Sequence, residues 1–144
     1  MSVSANIDIH LATKKSTIEI IKILTDSGWN IFHNGYIEYL PLGDKDDFDW
    51  QTEKISIEHL MKILQAKQNA NEVIGIIMTW KDTGIGGTFL FWTSEKYETF
   101  SLGIGIERQK IELIDDYEIT NFQWYLPKLL LPLNADYFSF YEHI

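Results

Sequence analysis

The chain has no cysteine, only three prolines and a single arginine, Arg108. Without cysteine there can be no disulfide, no thiolate nucleophile and no cysteine-ligated zinc. The basic side is thin throughout: twelve Lys and Arg face twenty-one Asp and Glu, a net charge of −9. Contacts to a phosphate backbone need clusters of Lys and Arg, so this balance argues against nucleic acid as a partner. A polybasic patch for an anionic membrane surface is missing for the same reason. No apolar run approaches the roughly 18 residues of a membrane span. The opening MSVSANIDIH lacks a basic stretch followed by an apolar one. A signal peptide is therefore not expected, and the cytoplasm is the expected compartment.

What the chain does have is apolar material. Of its 144 residues, 45% are hydrophobic and 14% aromatic. That suffices for one well-buried core, so residues 1–144 are read as a single domain. The acidic surplus keeps such a domain in solution and speeds encounters with basic partners.

The pattern of residues predicts an α+β fold: a mostly antiparallel sheet with about three helices packed on one face. Ile7 to Leu11 alternate as a first strand. Ser16-Thr17-Ile18-Glu19 is a capping box opening a helix that Gly28 stops. Asn34-Gly35 between two aromatic-rich runs predicts a hairpin spanning Trp29 to Tyr39. Leu42 to Lys54 reads as a polar loop, and Ser56 caps a second helix carrying Ile57, Leu60, Met61 and Leu64. Val73 to Trp80 is a near-continuous apolar run that fits a central strand. Thr88 to Trp92, Tyr97 to Ile106 and Gln109 to Ile114 follow as strands. Thr120, with Gln123 three residues on, predicts the start of a third helix, which Pro127 should shorten or kink and Pro132 should end. Tyr137 to Tyr141 suggests a last strand.

Few motifs suggest chemistry. Gly84-Ile85-Gly86-Gly87 leads into a strand instead of a helix, so a hairpin turn is expected there in place of a phosphate loop. Gly103 and Gly105 share one strand face, where an aromatic ring, Trp80 or Trp92, is expected to cover them. His10, His33, His59 and His143 show no metal-ligand spacing, so no metal or other cofactor is expected. Asp115, Asp116 and Glu118 are adjacent acids best explained by turn chemistry.

The most unusual segment is Asp44-Lys45-Asp46-Asp47-Phe48-Asp49-Trp50. It begins like a calcium loop and then departs from one, with Phe48 at the fifth position, Asp49 where glycine is required and Ile55 at the twelfth. What remains is a dense acidic loop carrying two aromatic rings. Such a loop suits a protein interface, with Phe48 and Trp50 as anchors and Asp44, Asp46, Asp47 and Asp49 attracting a basic partner; the competing reading is a solvated loop whose two rings fold back onto the core.

In this loop, in the glycine-bearing strand Ser101 to Ile106 and in the closing Ile119-Thr120-Asn121-Phe122-Gln123-Trp124-Tyr125-Leu126, the chain resembles the small acidic immunity proteins encoded beside bacterial polymorphic toxins. The resemblance implies a single cytosolic domain, not an enzyme, that binds and blocks a basic toxin domain. Two other functions compete with it. One is a sensory domain holding a small ligand in an apolar pocket between sheet and helices, near Trp80, Trp92, Gly103 and Gly105. The other is an enzyme whose site would join His33 or His59 to Asp115 or Glu118.

Overall fold

The computed structural model describes residues 4–11, 13, 15–93, 98–112 and 118–143. Its centre is an antiparallel sheet of nine strands. They are β1 (Ser4–Leu11), β2 (Trp29–Asn30), β3 (Phe32–His33), β4 (Tyr36–Tyr39), β5 (Gln51–Glu53), β6 (Ile74–Trp80), β7 (Gly86–Thr93), β8 (Glu98–Ile106) and β11 (Ala135–His143). The order across the sheet is β11-β1-β8-β7-β6-β4-β3, with β2 also on β6 and β5 on β4. A separate ribbon pairs β9 (Lys110–Glu112) with β10 (Glu118–Thr120).

Side chains alternate across a strand, so each strand chooses its inner face by residue parity. Ala5, Ile7 and Ile9 of β1 align with Ile104, Leu102 and Phe100 of β8. Leu102 and Phe100 align in turn with Phe89 and Phe91 of β7, and those with Ile76 and Ile74 of β6. All are buried. Covering this face are α1 (Thr17–Ser27), α2 (Ile57–Asn69) and α3 (Phe122–Leu133), which add Ile20, Ile21, Leu24, Leu60, Leu64, Tyr125, Leu129 and Leu133 to the same core. The fold is therefore α+β with its helices on one face, as the sequence predicts.

Local chemistry explains the helix ends. The Ser16 hydroxyl accepts the Glu19 amide at 3.1 Å, and Ser56 does the same for His59. Gly28 ends α1 at φ 136°, beneath the ring of Trp80. The start of α3 differs from the expectation. Its N-cap is Asn121, whose side chain makes no capping bond; Thr120, expected to cap it, lies in β10 with its hydroxyl donating to Glu142. Nor does Pro132 end it; the helix runs to Leu133 with both prolines inside. Pro132 has no N–H for the Lys128 carbonyl one turn earlier. The indole N–H of buried Trp29 donates to that carbonyl at 3.2 Å, which keeps it satisfied.

Three strand expectations are corrected. The Asn34-Gly35 turn forms, with φ of 54° and 84°, but it joins only two short strands. The chain breaks at buried Ile31, and Trp29 and Asn30 pair with Trp80 and Thr79 of β6. Within the loop read as Leu42 to Lys54, Gln51–Glu53 forms β5 along β4. Gly86 and Gly87 belong to β7 and not to a turn: a Cβ on either would collide with backbone of the neighbouring strand. The expected turn at Thr93 to Lys96 lies largely outside the described residues.

Candidate functional site

The acidic loop is organised from its base by a buried cation. Lys67, at the C-terminal end of α2, is fully buried, and its ammonium donates to the Pro41 carbonyl at 2.7 Å, the Asp44 carbonyl at 2.9 Å and the Glu72 carboxylate at 3.1 Å. Glu72 also accepts the Gly43 amide at 2.8 Å. Burial pushes the Glu72 carboxyl up, but the Gly43 amide and the Lys67 charge outweigh it, and its pKa lies below the usual value.

Asp44 then folds the loop around its own carboxylate. It accepts the amides of Asp49 at 2.7 Å, Asp47 at 3.0 Å and Phe48 at 3.1 Å. The Asp49 amide does most to hold its pKa below the ordinary carboxylate value; burial opposes this, and the Phe48 and Asp47 amides and Lys67 add to it. Asp44 is 5% exposed, so it shapes the loop and offers no carboxylate to a partner. Trp50 is likewise structural. Its half-buried ring lies with Leu40 over Gly75, where a Cβ would come within 2.7 Å of either side chain. Asp46, Asp47, Phe48 and Asp49 point outward, and Phe48 is 43% exposed at φ 52°. The exposed Leu42 adjoins them, an apolar neighbour that the sequence reading passed over.

Gly75 lies on the sheet face opposite the helices, so the loop borders that face. One row across the strands runs Gly75, Leu90, Ser101, Asp8, Ser139. The next, toward one end, runs Trp92, Thr99, His10, Tyr137. On the other side lie Ile77, Thr88, Gly103, Asn6 and Tyr141, and the Asn6 amide donates to the Tyr141 hydroxyl at 2.7 Å. The floor is small and polar apart from Leu90 and Ile77, while Trp92, Tyr137 and Tyr141 stand exposed on it. Asp8, His10, Trp92, Thr99 and Phe100 line an open cleft of about 190 Å³.

No known family model, curated protein or solved structure matches this chain.

The other sequence-derived candidates scatter. His33 sits on β3 with its ring 3.1 Å from the Ile77 carbonyl, His59 is in α2, and Glu118 pairs with Lys110 at 3.0 Å. Asp115 and Asp116 lie outside the described residues. Among the described residues no three His, Asp or Glu side chains converge as metal ligands, and no helix is long and apolar enough to cross a membrane. The pocket expected between sheet and helices is instead filled by Trp29, Phe89, Phe91 and Phe100, stacked or edge-on at 5.0–6.5 Å. Trp80 points into that side and Trp92 away from it, so the two cannot share a pocket. Neither covers the strand glycines. Gly103 meets Asn6 and Thr88, and Gly105 faces open space. The residues missed by sequence reasoning are Asp8, His10 and Tyr137. The signal for the first two was the parity of β1, which puts Asn6, Asp8 and His10 on the face away from the core.

Proposed function

We propose that this chain is a binding protein of the immunity type, which docks and blocks a basic protein partner through the Asp44–Trp50 loop and the open sheet face beside it. One observation carries the reading: the loop is hydrogen-bonded from within by Asp44, Lys67 and Glu72, while three carboxylates and one aromatic ring are turned outward. A loop ordered before binding loses little conformational entropy when it docks. Asp46, Asp47 and Asp49 would steer a cationic surface into place, and Phe48 would enter a pocket on it. If the partner is a nuclease, these carboxylates would occupy the cleft that normally takes phosphates.

The test is a complex with the toxin candidate encoded directly upstream. Binding should be retained by Asp44→Asn variants that keep the loop folded. It should fall about 30-fold in Phe48→Ala, the loss of a hot-spot aromatic. A complex indifferent to Phe48 and to joint neutralisation of Asp46, Asp47 and Asp49 would place the interface elsewhere.

A further inference from the structure

The row Trp92, Thr99, His10, Tyr137 forms a slot whose walls are aromatic. His10 and Tyr137, on adjacent strands, stack with centroids 4.2 Å apart and planes within 10°. Rings stacked across neighbouring strands stand upright, with their faces turned along the direction in which strands follow one another. The second face of His10 therefore looks over Thr99 toward Trp92. Trp92 and His10 are two strands apart, roughly 10 Å at the usual spacing. One planar layer at about 3.5–4 Å from each ring spans roughly 7–8 Å, so this spacing admits a single layer, with a slack of roughly 2–3 Å that a lean of either side chain over the small Thr99 takes up. The 190 Å³ cleft is this space. It is smaller than the roughly 300 Å³ at which ligand pockets for whole small molecules begin, and it suits a single side-chain head group.

The charge decides which planar group. Asp8, one row away, lines the same cleft, and among the described residues no cation is hydrogen-bonded or ion-paired to it. A neutral aromatic guest would desolvate that carboxylate without compensation. An ammonium is compact and not planar, so it fills the slot poorly. A guanidinium stacks on both rings and presents paired N–H donors to a carboxylate at its edge.

We infer that the Trp92–His10 slot, with Asp8 at its rim, is a seat for an arginine side chain of the partner. This rests on the reading of the open face as a docking surface for a basic protein, and gives that surface a second anchor besides Phe48.

The slot can be tested without the partner, so its failure and that of the docking reading are separable. N-acetyl-arginine amide is titrated into the ¹⁵N-labelled protein while the Trp92 indole and the Asp8–His10 amides are followed by NMR. Saturable shifts confined to these groups are expected, with a dissociation constant on the order of 1–10 mM. N-acetyl-lysine amide should bind at least about five-fold more weakly, and the neutral isostere N-acetyl-citrulline amide should not saturate. Asp8→Asn should weaken the arginine probe about ten-fold, a difference of about 1.4 kcal/mol, and Trp92→Ala should abolish the shifts at His10. Trp92 is 45% exposed, so its truncation leaves the core intact. The inference is overturned if no saturable shift arises at these residues up to about 50 mM, or if citrulline binds as well as arginine, or if Asp8→Asn leaves the titration unchanged.

Discussion

At the scale of single residues the loop depends on a charge that sequence alone would assign to the surface. Lys67 follows an apolar helical stripe and is one lysine among many, yet it is completely buried. Lys67→Met removes one partner of a buried ion pair and leaves Glu72 and two carbonyls without their donor. A loss of about 3–5 kcal/mol in urea unfolding is expected. The carboxyls make the same network pH-dependent. Asp44 and Glu72 both have folded pKa values below their ordinary ones. Their contribution is therefore complete above about pH 4.5 and is lost as pH falls through the lower folded values. Urea midpoints should be flat from pH 7 to 5 and drop below pH 4, with a shallower drop in Asp44→Asn. Phe48 separates stability from binding. It holds a left-handed backbone that glycine adopts freely. Phe48→Gly should change stability by less than about 1 kcal/mol while lowering partner affinity at least ten-fold. The acidic loop was legible in the sequence as a candidate site. Its division of labour was not, because whether an aspartate faces a partner or its own backbone depends on where the chain turns.

At the scale of elements, the glycines of β7 and β8 give a matched pair of tests. A Cβ on Gly87 would run into the Gly103 carbonyl, whereas one on Gly105 meets nothing within 4 Å. Gly87→Ala should cost about 1–3 kcal/mol or more, the range of overpacking, and Gly105→Ala should stay within about 0.5 kcal/mol of the parent by thermal unfolding. The sequence reads Gly87 as turn and Gly105 as strand, and neither reading shows which of them is hemmed in, since close approach is a property of the neighbouring strand. The helices were the most legible elements. Ser16, Gly28 and Ser56 act within one turn of themselves, so local spacing was enough. The third helix was misjudged at both ends for the opposite reason. Thr120 is drawn to Glu142, which with Arg108 forms a cluster between β10 and β11. Pro132 is tolerated because Trp29, about a hundred residues earlier, accepts the consequence. Partners that distant leave no trace in local spacing.

At the scale of the molecule, one sheet separates the packed core from the proposed docking surface. One face carries the aromatic core and all three helices. The other carries a small polar floor with the acidic loop at one border and His10, Tyr137 and Tyr141 near the other. The alternation of β1 and the run Val73 to Trp80 made the sheet itself legible. Which face stays open was not, because it follows from strand order, and β1 enters between β8 and β11 only in three dimensions. β11 also exposes Phe138 and Phe140, but their register with Ile9 and Ile7 puts them on the helix side, where Phe140 packs on Phe122 of α3. An open face built this way on a chain of net charge −9 should attract its partner electrostatically, with association slowing as salt screens the charges. The most direct measurement is size-exclusion chromatography of this protein with the product of its upstream gene, at low and at high salt. A stable complex that weakens at high salt and is lost when Phe48, Asp46, Asp47 and Asp49 are replaced together is the predicted result. No complex at either salt, or one that survives those replacements, would contradict the account.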